Sequence, residues 1–342
     1  MTSVLIVDDS LTMRSIIKSV LRSQADIEVI GEAADPYEAR DKIKALNPEV
    51  LLLDVEMPKM SGLDFLDKIM TLRPMPVIML SGTTQRGAQD TITALGHGAF
   101  ECMEKPKTGN VIEGLSALPD IIRAAAKHDP LKGKTAHTPI VRPSHFIPDA
   151  SIIGIGASTG GVEALLNVLS AFPKNCPPTV ITQHMPASFL ATFADRLDRN
   201  VLPKVKLAED NEILKPGHVL LAPGGDTHLQ IRGRSYFRCH LDMSDPVSGH
   251  RPSVDVMFSS MAKATSSRGV GLILTGLGRD GAKGLLSMRE AGARTLGQDE
   301  ASSIVYGMPK AAHQIGAVQQ QYSLNKIGSN LIGMCNSAPQ TK

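Results

Sequence analysis

The sequence has no long apolar run and no excess of one charge. No stretch approaches the roughly 18 to 20 consecutive apolar residues that a membrane-spanning helix needs. The formal net charge of the 342 residues is only +2, which gives no reason to expect binding to nucleic acid or insertion into a membrane. Because the first residues lack a basic stretch followed by a long apolar run and a cleavage site, no signal peptide is predicted.

Cysteine is also scarce. The four cysteines are scattered through the chain without the spacing of a metal site. A reduced protein in the cytoplasm is the simplest account of them. The chain has no internal repeat of fixed period, and its length allows two domains, each with its own core.

Short apolar runs alternate with helical patterns in the first third of the chain. Five such runs predict five short strands, and the alternation predicts a doubly wound α/β domain with a parallel sheet. Ligands of such sheets bind at the carboxyl ends of the strands. The polar residues at these predicted ends are Asp8, Asp9, Asp54, Ser81 and Lys105.

These polar residues make a coherent site together, although each one alone is better explained as a solvated loop residue. Three carboxylates at one edge repel one another unless a cation joins them. Mg²⁺ prefers carboxylates, water and a phosphoryl oxygen as ligands. A lysine can neutralise a phosphoryl group, and a serine hydroxyl can donate a hydrogen bond to it.

Residues 1–122 therefore resemble a response-regulator receiver domain. The resemblance implies a role for each residue at the strand ends: Asp54 as the phosphoacceptor, Asp8 and Asp9 as Mg²⁺ ligands with it, and Ser81 and Lys105 as switch residues. It implies Mg²⁺ for phosphorylation of the receiver only. Cys102 stands where the family usually carries an aromatic switch residue, so phosphorylation is expected here without the usual aromatic switch.

The next stretch, residues 123–147, is rich in proline, lysine, histidine and threonine and is predicted to be a linker. After it, an apolar run at residues 151–155 leads into Gly156-Ala157-Ser158-Thr159-Gly160 and then into helical spacing. The pattern G-x-S-x-G at a turn from strand to helix presents a serine at a helix N-terminus. A glycine turn that only packs or binds phosphate is the alternative. A dinucleotide site is disfavoured, because Gly160 comes one residue too late for its fingerprint.

Two later predicted strands end in residues that suit this serine. One leads to His184 and the other to Asp280. A hydroxyl is a poor nucleophile until a histidine accepts its proton, and a carboxylate orients that histidine. Each residue also has a structural alternative, since His184 can be an ordinary polar residue and Asp280 the N-cap of the next helix. The order Ser, His, Asp differs from that of the α/β-hydrolases.

The second half is expected to be a doubly wound, mostly parallel α/β domain that includes an antiparallel hairpin at about residues 228–241. Residues 148–338 resemble the catalytic domain of the chemotaxis protein-glutamate methylesterases, in the stretches IGASTGG, QHMP, LAPGG, HRPSVD and LTGLGRDG. The resemblance implies these roles: Ser158 as nucleophile, His184 as general base and then acid, Asp280 as the orienting carboxylate, and the backbone N–H of Leu277 as oxyanion donor. His250 and Asp255 are expected to support the site, and hydrolysis is expected to need no cofactor.

By this resemblance, the protein is a phosphorylation-regulated serine hydrolase of chemotactic adaptation. It is expected to demethylate glutamate γ-methyl esters on methyl-accepting chemoreceptors, releasing methanol, and to deamidate specific receptor glutamines. A chemotaxis histidine kinase is the implied phosphodonor. Two alternatives stay open: a receiver-controlled esterase that acts on another substrate, and an adaptor that binds a partner through its phosphorylated receiver while Ser158 is idle.

Overall fold

The computed structural model describes residues 1–82, 84–106, 114–130 and 146–337 of the chain. Contacts between residues divide the chain into two compact units, an N-terminal unit, Met1–Lys134, and a C-terminal unit, Thr135–Lys342. No helix within the described residues is long and apolar enough to cross a membrane.

The N-terminal unit contains a five-stranded sheet. Its strands are β1 (Thr2–Val7), β2 (Ile27–Ala33), β3 (Val50–Asp54), β4 (Val77–Ser81) and β5 (Glu101–Glu104). They lie in the order β2-β1-β3-β4-β5, and every neighbouring pair is parallel. The expected doubly wound parallel sheet is confirmed. Because the connections leave β1 and β3 toward opposite edges of the sheet, a crevice forms at the carboxyl ends of these two strands.

Helices alternate with these strands. They are α1 (Leu11–Arg22), α2 (Pro36–Leu46), α3 (Gly62–Leu72), α4 (Gln85–Gly96) and α5 (Leu118–Ala126). The first four begin after a side chain that accepts a hydrogen bond from the first turn: Ser10, Asp35, Ser61 and Thr84. Since α5 continues to Ala126, the expected domain boundary after residue 122 falls inside this helix. Residues 131–145 of the expected linker, and residue 338 at the expected end of the second domain, lie outside the described residues.

The C-terminal unit contains a seven-stranded sheet and a separate hairpin. The strands of the sheet are β6 (Ile152–Ala157), β7 (Thr179–Gln183), β8 (Lys204–Leu207), β9 (His218–Leu221), β12 (Gly269–Ile273), β13 (Arg294–Gln298) and β14 (Gln320–Tyr322). Their order is β14-β13-β12-β6-β7-β9-β8, and all neighbours are parallel. The hairpin pairs β10 (His228–Arg232) with β11 (Arg238–Asp242) in antiparallel register. This confirms the expected mostly parallel sheet with an antiparallel hairpin.

The helices of this unit are α6 (Gly161–Ser170), α7 (Ala187–Asn200), α8 (Val254–Thr265), α9 (Ala282–Glu290), α10 (Met308–Gln314) and α11 (Leu324–Met334). Glycines in the central strand β6 bring α8 close to the sheet. A Cβ at Gly156 would lie only 2.2 Å from Cγ1 of Val254, and one at Gly154 only 2.4 Å from Sδ of Met261. The first turn of α8 therefore packs directly on the strand that leads to Ser158.

Candidate active site and phosphoacceptor site

Ser158 lies in the turn between β6 and α6. Its backbone N–H donates to the carbonyl of Thr275 at 3.0 Å, which ties the turn to the end of β12. Gly160 adopts a left-handed conformation, with φ of 77°, as N-cap of α6, so a residue without Cβ is favoured there. The predicted sequence of strand, turn and helix is present. The serine is only 9% exposed, so it lies in the wall of the site and not on a protruding turn.

His184 follows β7, beside Ser158. Its Nε2 lies 2.7 Å from Oδ2 of Asp280, and its side chain is only 6% exposed. Gln183 connects the histidine with the serine, because its Nε2 donates to the carbonyls of both Ser158 (2.9 Å) and His184 (3.0 Å). The other ring nitrogen of His184, Nδ1, is buried and has no hydrogen-bond partner among the described residues. A neutral imidazole with its proton on Nε2 has its lone pair on this nitrogen.

Asp280 is buried and accepts hydrogen bonds from two directions. Besides His184, its donors belong to the start of α8: the N–H of Val254 at 2.7 Å, the hydroxyl of Ser253 at 2.8 Å and the N–H of Asp255 at 3.1 Å. Burial acts to raise the pKa of Asp280, but the hydrogen bonds and the charge of His184, together with these donors, lower it below the ordinary value. The carboxylate is therefore ionised when it orients the imidazole.

Leu277 lies in the loop after β12, which passes directly by the serine. A Cβ on the preceding residue, Gly276, would lie 2.7 Å from Cβ of Ser158. The backbone N–H groups of Leu277 and of Thr159 donate no hydrogen bond among the described residues. Both are therefore available to a negatively charged oxygen near Ser158, and the N–H of Thr159 was not singled out by the sequence pattern.

His250 lies in the loop before α8, and Asp255 lies in the first turn of that helix. The ring of His250 stacks on that of His184, with centroids 3.7 Å apart and an interplanar angle of 7°. Burial lowers the pKa of His250 to about 4, and the neighbouring His184 adds to this lowering while Asp280 opposes it. The carboxylate of Asp255 accepts the N–H of Gly284 at 2.7 Å, and burial raises its pKa.

The carboxylates of the N-terminal unit meet at the ends of β1 and β3. One oxygen each of Asp8, Asp9 and Asp54 lies within 4.8 Å of the other two. Nζ of Lys105 lies 2.7 Å from Oδ2 of Asp8 and 2.8 Å from Oδ1 of Asp54. Burial raises the pKa of Asp54 to about 6 against the effect of Lys105, and the charge of Asp8 adds to the rise. This set of carboxylate oxygens fits a small, hard cation such as Mg²⁺.

Ser81 and Lys105 are joined through their backbones at the same edge. The N–H of Lys105 donates to the carbonyl of Ser81 at 2.8 Å, and the hydroxyl of Ser81 donates to the carbonyl of Gly82 at 3.1 Å. Cys102, in β5, is buried, with Sγ 3.5 Å from the carbonyl of Thr91. Burial raises the pKa of this thiol well above its ordinary value, so it is a neutral packing residue.

Both halves of the chain match described protein families. The family described as CheB methylesterase matches residues 153–331, a range that contains Ser158, His184 and Asp280. The family described as response regulator receiver domain matches residues 4–115, a range that contains the carboxylates, Ser81 and Lys105.

Several relatives match over nearly the full length. A protein-glutamate methylesterase/protein-glutamine glutaminase 1 from Caulobacter vibrioides is 54% identical over 98% of this chain and 98% of its own. A protein of the same name from Rhizobium johnstonii is 54% identical over 97% of this chain and 96% of its own. The solved CheB methylesterase catalytic domain of Thermotoga maritima is 37% identical, with a TM-score of 0.53, and covers 54% of this chain and 99% of its own.

Proposed function

Since the chain belongs to the CheB methylesterase family and carries a receiver domain before its catalytic domain, we propose that it is a phosphorylation-regulated protein-glutamate methylesterase and protein-glutamine glutaminase. Its substrates in this proposal are glutamate γ-methyl esters and glutamines of chemoreceptors. The observation that carries the proposal is the buried contact of 2.7 Å between His184 and Asp280 beside Ser158. In a catalytic triad, a carboxylate orients the histidine in this way, so that the histidine can accept the proton of the serine.

The first half of the reaction transfers the glutamyl group to the serine. Because Asp280 holds a proton on Nε2 of His184, Nδ1 accepts the proton of the Ser158 hydroxyl as Oγ attacks the ester carbon. The hydroxyl and Nδ1 are not hydrogen-bonded in this structure, so the contact has to tighten when substrate binds. The oxyanion accepts a hydrogen bond from the N–H of Leu277. The imidazolium then gives its proton to the departing methoxide, which leaves as methanol.

The second half returns the serine. A water molecule gives a proton to Nδ1 of His184 and attacks the acyl carbon, and the serine oxygen leaves with that proton, so that a glutamate carboxylate is released. A glutamine side chain follows the same steps, with ammonia as the group that leaves. The steps of this proposal use the three side chains, the backbone N–H of Leu277 and water.

The N-terminal unit supplies the regulation. A phosphoryl group transferred to Asp54 would lie within reach of Lys105, which already contacts this carboxylate. Asp8, Asp9 and Asp54 would hold Mg²⁺, whose positive charge would offset the repulsion between the carboxylates and the incoming phosphoryl group. A chemotaxis histidine kinase is the proposed phosphodonor, and family membership supports this assignment.

Methanol release from methylated chemoreceptor membranes tests the proposed function. The wild-type protein should release methanol, and release should rise with a phosphodonor and Mg²⁺. Ser158→Ala should release none above background. If the wild-type protein hydrolyses simple esters but leaves methylated receptor untouched, the substrate assignment is wrong. If neither is hydrolysed while phosphorylation-dependent binding persists, the protein is an adaptor.

A further inference from the structure

A groove of about 650 Å³ lies in the C-terminal unit between α8 and the β10–β11 hairpin. One wall is the outer face of α8, where Asp255, Ser259 and Lys263 follow one another at intervals of four residues and so share one side of the helix. The opposite side of α8 is buried in the core. The other wall is β10, which is fixed against the helix because the N–H of Ile231 donates to the hydroxyl of Ser260 at 2.8 Å.

Cations without a carboxylate partner concentrate at this groove. Arg232, Arg234 and Lys263 line it and are exposed. Within the described part of the chain, none of the three lies at ion-pair distance from a carboxylate. Arg268 adds a fourth positive charge, since its guanidinium donates to the carbonyl of Arg234 at 2.8 Å and lies 4.6 Å from the ring centroid of Phe237.

The charge of the groove changes along its length. Asp255 stands at one end, where its N–H donates to Oδ1 of the catalytic Asp280 at 3.1 Å. Lys263 is eight residues further along α8, which corresponds to about 12 Å at the rise of an α-helix. An occupant that spans the groove therefore meets negative charge next to the triad, which suits an uncharged ester or amide. It meets positive charge at the far end, which suits carboxylates.

We propose that this groove binds an acidic segment of the protein substrate. Carboxylates that flank the target glutamyl ester contact Arg232, Arg234 and Lys263, while the ester itself lies at Ser158. The inference rests on the proposed function, because a substrate that is demethylated at several glutamates carries carboxylates where the reaction has already occurred. The cations line one end of a concave groove, and Asp255 at its other end contacts Asp280. A concave shape accommodates a chain segment better than a flat lipid surface.

The test uses the full-length protein, activated with acetyl phosphate and Mg²⁺. Two synthetic peptides carry one glutamate γ-methyl ester each, flanked either by glutamates or by serines. The groove variant combines Arg232→Gln, Arg234→Gln and Lys263→Gln. The matched control combines Lys174→Gln, Lys215→Gln and Lys326→Gln, which are exposed lysines of the same unit outside the groove.

The groove variant should raise KM for the glutamate-flanked peptide roughly tenfold with kcat unchanged, because each lost ion pair is worth a factor of about 1.5 to 5. KM for the serine-flanked peptide should stay within about twofold of wild type by the same reasoning. Added salt should weaken the preference of the wild-type protein for the acidic peptide, since these charges are exposed. The control variant should behave as wild type on both peptides.

Several outcomes would overturn the inference. One is a groove variant whose KM for the acidic peptide matches that of the control, and another is an equal loss on both peptides. Loss of binding to phosphatidylglycerol vesicles with unchanged KM would make the groove a lipid site instead. If the wild-type protein hydrolyses neither peptide nor methylated receptor, the proposed function itself is wrong. If it hydrolyses both peptides without preferring the acidic one, only the inference about the groove is wrong. Activity on a small neutral ester reports whether the variant is folded.

Discussion

At the scale of residues, the carboxylate of Asp280 contacts two separate parts of the C-terminal unit. It accepts hydrogen bonds from the first turn of α8 and from His184. The N-terminus of a helix carries partial positive charge, so it stabilises an ionised carboxylate. The pKa of Asp280 is therefore lowered although the residue is buried, and its predicted role is to hold the imidazole of His184 in one tautomer.

The triad can be tested through non-additive losses. Ser158→Ala and His184→Ala should each lower kcat by roughly 10⁵-fold, and the double variant should be little worse than either, because nucleophile and base act as a unit. Asp280→Asn should cost less, roughly 10⁴-fold, because the nucleophile and base remain. The measurement is kcat for release of methanol from a methylated substrate. Near-normal turnover by Ser158→Ala would exclude it as the nucleophile.

The stack of His250 on His184 gives a pH dependence. The pKa of His250 is lowered to about 4 from 6.5, so between these values the unfolded chain binds more protons than the folded one. As the pH falls from 6.5 toward 4, the free energy of unfolding therefore decreases by up to about 3 kcal/mol, because His250 binds a proton in the unfolded chain while the fold keeps it neutral. Urea unfolding at pH 7 and pH 4.5 should show a smaller loss for His250→Gln than for wild type.

His313→Gln, which changes an exposed histidine at the end of α10, is the control for this comparison. It should lose stability between pH 7 and pH 4.5 in parallel with wild type. The same parallel behaviour in His250→Gln would show that the stacked ring is not kept neutral by the fold.

The sequence names the residues at these strand ends but not all of their contacts. Ser158, His184 and Asp280 each follow an apolar run, so their common edge is predictable from the parallel sheet. That Asp280 accepts the N–H groups of α8, and not those of the helix that follows it, depends on the packing of distant segments. No local pattern contains that information. The catalytic and phosphoacceptor roles of the named residues stay predictions.

At the scale of elements, Gly156 decides how closely α8 approaches β6. A Cβ there would lie 2.2 Å from Cγ1 of Val254, whose N–H donates to Asp280. Gly156→Ala should therefore push the first turn of α8 away, with a cost of about 1 to 3 kcal/mol in stability. It should also lower kcat, because Asp280 loses donors. Urea unfolding and methanol release measure the two effects.

Gly333→Ala is the matched control for this change. Gly333 lies in α11, and a Cβ there meets no atom within 4 Å. Alanine stabilises an exposed helical position by up to about 1 kcal/mol relative to glycine. If Gly156→Ala and Gly333→Ala have the same stability and the same kcat, a Cβ at residue 156 does not displace Val254.

The strands that the sequence does not predict share a physical reason. β8 has four residues and β14 has three, and both lie at the edges of the sheet. Short edge strands need few apolar residues, so their pattern is weak. β13 lies inside the sheet, but Arg294–Gln298 contains only one large apolar residue, Leu296, so its apolar pattern is weak as well. By contrast, the buried strands β1, β3, β6 and β12 are continuous apolar runs that local reading identifies.

At the scale of the whole molecule, composition marks the presence of two domains better than the place where one ends. The proline-rich stretch indicates a break in the chain, but α5 continues to Ala126, beyond the boundary expected after residue 122. Residues 118–126 include apolar side chains buried against the N-terminal unit. The sequence pattern predicts a closing helix over residues 118–127, which agrees with α5, whereas the boundary placed after residue 122 does not follow that helix.

The last prediction concerns the effect that phosphorylation of the N-terminal unit has on hydrolysis by the C-terminal unit. A receiver regulates a hydrolase only if the protein has at least two states of different activity and phosphorylation favours one of them. A complete shift from 1:99 to 99:1 requires about 5.5 kcal/mol. The source available here is the new charge at Asp54 beside Lys105 and Ser81. Since Cys102 offers no aromatic ring, we expect a smaller shift than a receiver with that residue would give.

Acetyl phosphate and Mg²⁺ should therefore label Asp54 in the wild-type chain and raise methanol release from methylated receptor. Asp54→Asn should abolish both the label and the increase in methanol release. Basal hydrolysis should remain, because the variant leaves the proposed catalytic residues of the C-terminal unit unchanged. The fragment from residue 146 onward, which lacks Asp54, should be indifferent to the phosphodonor and more active on receptor than the unphosphorylated full chain. If that fragment is no faster than the unphosphorylated whole, the receiver does not inhibit hydrolysis and acts through recruitment or direct activation. Stoichiometric label at another residue would overturn Asp54 as the phosphoacceptor.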